Sequence, residues 1–431
     1  MSAHPTQASP AVSPGPLPWT CPFCALHCDG FEPQAQGGRF SLQGTDCARA
    51  QAGLSHFAVE VSAAVPALID GAPASLEAAL QAAAAVLAQA RLPLFGGLVT
   101  DIAGSRALYT LANASGAILD HVHGEAQMHG LRALQDRGLL TTTVAEVREH
   151  ADLMVCLGTQ PGERYPEFFH RCGFGREAPG RVRNLVFLGA LPPAEGLAPG
   201  VQVSHVRLEG DVFDTLALLN ALAAGRRLRE PAPAVLQGLA QRLQEARYAV
   251  LVWDMVQAPA HSTLVVQGLH RLVDTLNRGT RAAALLLGGN DGAQSVNQTL
   301  TWLSGLPLRT GVLARGLTHE PVLFAADRLL RQQAVDALLW VASFGPEPAP
   351  PPTPLPGVVL GHPALAAQAS RPGCVFIPVS TPGLGSAGHL SRFDSVVVLP
   401  LRPLRADGLP TVAEVASRLA DLVAAAKKGQ I

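Results

Sequence analysis

Ala151-Asp152-Leu153-Met154-Val155-Cys156-Leu157-Gly158-Thr159-Gln160-Pro161-Gly162-Glu163-Arg164-Tyr165-Pro166 reads as a short apolar run that breaks at glycine into a G-x-x-P-x-x-x-x-P turn. An unbroken apolar run without polar alternation describes a strand covered on both faces, the situation of a parallel sheet. The glycine lets a backbone approach a ligand, and the turn exposes amides and polar side chains. An ordinary α/β loop has the same composition.

Working outward, the same pattern recurs. Strands are expected at Leu92–Phe95, Ala117–Asp120, Leu185–Leu188, Ala249–Trp253, Ala283–Leu287, Ala337–Ala342, Gly357–Leu360 and Val375–Val379. Helices are expected over Ser75–Ala90, with Ser75 as N-cap, over Ala103–Ser115, and near 212–224, 234–246, 260–277, 293–303 and 412–426. Alternating strands and helices predict an α/β protein built on doubly wound parallel sheets, whose ligands sit at the carboxyl ends of the strands. Two further glycine-rich strand exits, Leu287-Gly288-Gly289-Asn290-Asp291-Gly292 and Pro382-Gly383-Leu384-Gly385-Ser386-Ala387-Gly388-His389, join Gly158–Pro166. Three such exits point to a large phosphate-bearing ligand in the ancestry of the chain; ordinary tight turns are the alternative. The expected organisation is an arm at 1–18, a four-cysteine domain at 19–60, an α/β domain at 61–240 and a second at 241–431. Pro346–Pro356 reads as a stiff surface loop.

Bulk properties exclude several classes. The chain has 431 residues, a formal net charge of −1, 48% hydrophobic and 15% charged residues. No basic stripe is present, so nucleic acid is not an expected partner. No window approaches the ~18–20 apolar residues of a membrane helix. The first residues, rich in Pro, Ser and Ala, lack a basic and an apolar region and read as a disordered arm, not a secretory signal. A cytoplasmic location follows, where thiols stay reduced.

Cys21-Pro22-Phe23-Cys24-Ala25-Leu26-His27-Cys28 gives C-x2-C-x3-C, and Cys47 returns later. Three thiolates on one tight loop plus a fourth can hold a [4Fe–4S] cluster. The same ligands could hold one zinc, or the motif could be inherited and empty. Cys156 lies in an apolar strand and reads as a small core residue. His121, His123 and His129, with Glu125 among them, form a second candidate ligand group; H-x-H on a loop is more often without consequence.

These segments together resemble the molybdopterin oxidoreductase superfamily. The resemblance rests on the cysteine head, Ala67–Glu77, the Gly158–Pro166 turn and Asn297-Gln298-Thr299-Leu300-Thr301-Trp302. Within it, His129-Gly130, Ala133-Leu134-Gln135-Asp136-Arg137-Gly138 and Gly388–Asp394 most resemble the B subunit of formylmethanofuran dehydrogenase. The likeness runs from residue 19 to about residue 405. It implies the domains 1–3 arrangement of formate dehydrogenase and DMSO reductase. It further implies a [4Fe–4S] cluster on Cys21, Cys24, Cys28 and Cys47, with Arg49 between cluster and pterin. His129 would act near the metal, and Gly158, Gln160, Pro161, Gly289, Asn290 and Asn297 would line a molybdenum or tungsten pterin.

In that family a cysteine just ahead of a His-Gly pair ligates the metal. Here that position reads as Met128, and no cysteine stands between Cys47 and Cys156. A thioether is a weak neutral ligand and does not replace a thiolate. The departure points to the bacterial branch, in which the homologous protein belongs to a formyltransferase/hydrolase complex and the molybdenum or tungsten pterin is expected to be absent. That complex moves a formyl group from tetrahydromethanopterin to a methanofuran-type carrier and hydrolyses it to formate. The resemblance implies a redox-inactive structural subunit, with the hydrolase (A), β-helical (C) and formyltransferase (D) subunits as partners. The alternative is an active molybdenum or tungsten formylmethanofuran dehydrogenase subunit.

Overall fold

The structure is a computed structural model that describes residues 18–59, 65–176, 182–208, 210–256 and 261–429. The expected arm lies outside the described residues apart from Pro18.

Local signals act as expected at several elements. Ser75 caps helix Leu76–Gln89, its hydroxyl accepting from Ala78 N at 3.2 Å. Thr411 and Glu414 cap helix Val412–Lys428 reciprocally, satisfying amides that the first helical turn leaves without partners. Strands Leu153–Leu157 and Ala337–Ala342 are buried along their whole length, because helices or the cysteine head cover both faces of their sheets.

Two sheets carry the molecule. The five-stranded sheet is parallel throughout, in the order Arg281–Leu287, Tyr248–Asp254, Leu153–Leu157, Arg183–Leu188, Val201–Val206. The nine-stranded sheet has a parallel centre: Ile118–Leu119, Pro93–Val99, Ala337–Ala342, Gly357–Gly361 and Cys374–Pro378. The hairpins Thr310–Leu313/Gly316–His319 and Ala67–Ile69/Ala72–Ala74 flank it.

The expected cut at residue 240 does not separate these sheets. It falls inside the five-stranded one, between Val201–Val206 and Tyr248–Asp254. The nine-stranded sheet takes strands from both sides of that inserted unit. Pairing in a parallel sheet is decided by long-range packing, so order along the chain does not divide it.

The cysteine head, with hairpin Glu32–Gln36/Arg39–Gln43 and helix Ala48–Leu54, packs on one face of the five-stranded sheet against Met154, Cys156, Phe187, Val250 and Val252. The head also reaches the turn beyond strand Arg281–Leu287, where Ala25 N donates to Asn290 Oδ1. Helix Gly124–Arg137 starts just beyond strand Ile118–Leu119 of the nine-stranded sheet.

Candidate functional site

The loop Cys21–Cys28 closes on itself through Cys21 N to Cys28 O at 2.8 Å and His27 N to Cys24 O at 3.1 Å, with His27 in the left-handed region at φ 45°. Long-range bonds fix it to both sheets. Trp19 Nε1 donates to Gly383 O at 2.9 Å, Ala25 N to Asn290 Oδ1 at 2.8 Å, and Phe393 N to Ala25 O at 3.2 Å. Cys47 is the N-cap of helix Ala48–Leu54.

All four thiols are buried and free. Burial pushes each of them up, Cys24 to about 11, and for Cys21, Cys24 and Cys28 the neighbouring thiols add to the rise. The backbone amides of Phe23, Leu26, His27, Arg49 and Ala50 face the sulfurs and work in the opposite direction. Among the described residues, no three His, Cys, Asp or Glu side chains stand together as ligands of a single ion.

Beside this loop lies a cavity of about 630 Å³. The head helix contributes Arg49 and Gly53, and the turn after it His56. The start of helix Gly124–Arg137 contributes His123, the turn after strand Arg281–Leu287 contributes Asp291, and the loop after strand Ala337–Ala342 contributes Phe344–Ala349. Arg49 Nε donates to Phe23 O at 2.6 Å, anchoring the guanidinium between the cysteine loop and the cavity.

His123 Nε2 lies 2.7 Å from Asp291 Oδ2. His121 is locked beneath it. Its Nδ1 accepts from His123 N at 3.0 Å, which makes Nε2–H the donor to Asp291 O at 3.1 Å. Burial drives the His121 pKa down to about 3, so this ring stays neutral. Burial also works to raise the Asp291 carboxyl. The bond and charge of His123, with the Arg49 guanidinium, outweigh it and hold the group below the usual carboxylate range. Asp291 has φ 57° and ψ 32°, between Gly289 at φ 81° and Gly292 at φ 77°. A Cβ on Gly292 would stand 2.2 Å from Thr100 O, so only glycine lets this turn close on the neighbouring sheet.

No family model matches the chain. Over 329 residues it is 32% identical to the B subunit of the formyltransferase/hydrolase complex Fhc of Methylorubrum extorquens, covering 75% of this chain and 87% of that protein. The chain belongs to that B-subunit family. It is also 24% identical over 348 residues, 75% of this chain and 78% of the relative, to the B subunit of the tungsten-containing formylmethanofuran dehydrogenase 2 of Methanocaldococcus jannaschii. A chain in the crystal structure of the M. extorquens complex FhcABCD with methylofuran matches with a TM-score of 0.72 and 30% identity. The match covers 85% of this chain and all of that one.

Against the pattern of the B-subunit family, the structure sorts the expected site residues. Cys21, Cys24, Cys28 and Cys47 lie in one buried cluster, with the Arg49 guanidinium acting on Cys24 and Cys47. Met128 and His129 do not join them. Met128 is 2% exposed within the core of the nine-stranded sheet, and His129 points to Thr263 Oγ1 at 3.4 Å. Neither lines the cavity. The His-Gly pair that reaches it is His123-Gly124, preceded by Val122. The reason is helical geometry: six residues carry a side chain about 9 Å along the axis and roughly 240° around it.

Gly158 has φ 60°, but Gln160 spends its Oε1 on Gly162 N at 2.6 Å, with Pro161 opening that short helix. Asn290 holds the cysteine loop, and Asn297 Oδ1 accepts from Leu308 N at 3.1 Å. Asn297 lines a separate pocket of about 270 Å³ with Gln127, Leu131, Met255 and Phe393. Glu125 accepts from Arg309 Nη2 at 2.8 Å and stands 4.0 Å from His129 Nε2. His56 and Asp291 were not singled out for the site; Asp291 stood within a quoted glycine-rich turn, the one signal that could have found it.

Proposed function

We propose that this chain is the B subunit of a formyltransferase/hydrolase complex and serves it as a redox-inactive scaffold. Its partners are the A, C and D subunits of that assembly, which passes a formyl group to a methanofuran-type carrier and releases it as formate. The observation that carries this reading is the occupant of the position ahead of the cavity's His-Gly pair. Val122 offers no ligand atom at all, and no cysteine lies nearby in sequence. The similarity to the M. extorquens protein, both in sequence and in fold, supports the same assignment. The domains 1–3 arrangement of molybdopterin oxidoreductases is our reading of the two interleaved sheets.

The residues present do not fit a metal-bearing bis-pterin. The ligating thiolate is missing, and the side-chain oxygens of Gln160, Asn290 and Asn297 accept from backbone N–H groups of their own fold. No chemical step is therefore routed through such a group. The four-cysteine loop does fit a [4Fe–4S] cluster. Four thiols are the donor set that a cubane cluster takes. They belong to one buried cluster, and backbone amides face the sulfurs of Cys21, Cys24 and Cys47. Cys21, Cys24, Cys28 and Cys47 would hold it. The chemistry such a cluster offers is one-electron transfer; here its role is to fasten the head to the body.

Among the described residues no helix is long and apolar enough to cross a membrane. All seven cysteines are free, which suits a reducing cytoplasm.

Metal analysis of the purified complex tests the reading. Tungsten and molybdenum are expected at far below one equivalent, with iron and acid-labile sulfide retained. One equivalent of either heavy metal sinks the scaffold assignment. Failure of a hydrolase and a formyltransferase to co-purify sinks the partner assignment.

A further inference from the structure

A second site lies on the other face of the five-stranded sheet from the cysteine head, between the C-terminal halves of helices Val212–Ala223 and Ser262–Leu276. A pocket of about 440 Å³ opens there, lined by Ala217, Asn220, Arg226, Arg271, Thr275 and Arg278, among others. Three guanidiniums and no carboxylate border it. None of the three takes part in an ion pair among the described residues. The one acid nearby on the same helix, Asp274, faces the other way and pairs with Arg137 at 3.5 Å.

The geometry explains how the arginines meet. Arg271 and Thr275 stand four residues apart on one helix and share a face, and Arg278 follows in the turn just beyond the helix end, its N donating to Thr275 O at 3.3 Å. Gly225, at φ 64°, ends the neighbouring helix in the left-handed region, and Arg226 N closes that end on Ala221 O at 2.9 Å. This places Arg226 across the groove. Asn220 is fixed in the wall, its Nδ2 donating to Leu216 O at 2.8 Å and Gly268 O at 2.9 Å.

Arginines at helix C-termini often do no more than offset the helix dipoles. Two helix ends supply roughly −0.5 charge each, about one negative charge in all. Three guanidiniums exceed that by about two charges, in a chain whose overall net charge is only −1. A concave, three-arginine pocket of this size matches a small ligand carrying a multivalent oxyanion, which guanidinium forks bind bidentately.

We propose that this pocket binds a phosphate-bearing small molecule with at least two negative charges, through Arg226, Arg271 and Arg278. The site is independent of the cavity beside the cysteines.

The test is calorimetric titration of the purified complex with inorganic pyrophosphate at fixed ionic strength, with citrate as the carboxylate probe. Saturable pyrophosphate binding is expected. Each single change, Arg226→Gln, Arg271→Gln or Arg278→Gln, should weaken it about tenfold, the scale of one charge-assisted hydrogen bond. The surface location of the three residues means the variants fold, and an unchanged unfolding midpoint confirms it. The proposal is overturned if wild type shows no saturable binding, or if the triple variant binds as wild type does. It is equally overturned if citrate binds as tightly as pyrophosphate, which would reassign the pocket to carboxylates.

Discussion

The same dipeptide occurs at two places on helix Gly124–Arg137, and its two copies do different things. His123-Gly124 caps the helix at the carboxyl edge of the nine-stranded sheet, where the ring meets Asp291 across a separation of 168 residues and borders a cavity. His129-Gly130 lies mid-helix and is packed against helix Ser262–Leu276. Around the first pair every neighbour is committed. Asp120 accepts from His121 N, Ala326 N and Arg309 Nε, and Arg309 also bonds Glu125 and Pro321 O. Around the second pair the neighbours are a hydroxyl and a flexible thioether. A motif therefore carries meaning only through the edge of the sheet on which it lands.

The two glycines give the largest expected contrast. A Cβ on Gly124 would stand 2.0 Å from Asp120 Oδ1, an atom inside the buried Arg309 network. Gly124→Ala should cost about 3 kcal/mol or more, the scale of disturbing a buried ion pair. A Cβ on Gly130 would stand 2.9 Å from Met255 Sδ, the mobile end of a side chain, and alanine suits a helix interior. Gly130→Ala should leave stability unchanged or raise it by up to about 1 kcal/mol. Chemical denaturation of both variants decides, and a larger loss in Gly130→Ala would reverse the comparison.

Acid sensitivity is the next contrast. His121 and His129 are both held below the ordinary histidine pKa by burial, His121 to about 3. Burial favours the neutral form of each ring in the fold, and each is more basic when unfolded. Its contribution is therefore complete above about pH 6.5 and is lost as pH falls toward the folded value. For His121 the loss between pH 6.5 and 5 is about 2 kcal/mol. His121→Asn should flatten the stability-versus-pH curve over that window more than His129→Asn does. Equal flattening in urea titrations at pH 7 and pH 5 would show that the two ends of the helix are not electrostatically distinct.

Much of the frame was legible from residues alone. Leu153–Leu157 and Ala337–Ala342 announced themselves as unbroken apolar runs and Ser75 as a cap. Helix Gly124–Arg137 was not legible, because two glycines, two glutamines and a histidine blur its apolar period. Nor was the sheet partition, since strand Pro93–Val99 finds its partner Ala337–Ala342 only after a whole α/β unit has been inserted. The pterin-loop residues misled for a related reason. Gln160, Asn290 and Asn297 carry amides that suit a ligand equally well on paper, and only the folded contacts show their side-chain oxygens already accepting from backbone N–H groups.

The smallest expected effect concerns activity. His129→Ala should leave formyl hydrolysis by the assembled complex within about twofold of wild type, because the ring touches only Thr263 and Glu125. His123→Ala removes the bond to Asp291 and enlarges the cavity, yet a scaffold role predicts the same near-constancy of rate. The pair of variants separates two ideas that either alone would confuse. A loss in both would mean that the helix positions a partner protein, and the assembly state would show it. A loss of more than about tenfold in His123→Ala alone, with the complex intact, would mean that the cavity takes part in the reaction. The spatial contrast between the two His-Gly pairs would then stand, and the scaffold reading would fall.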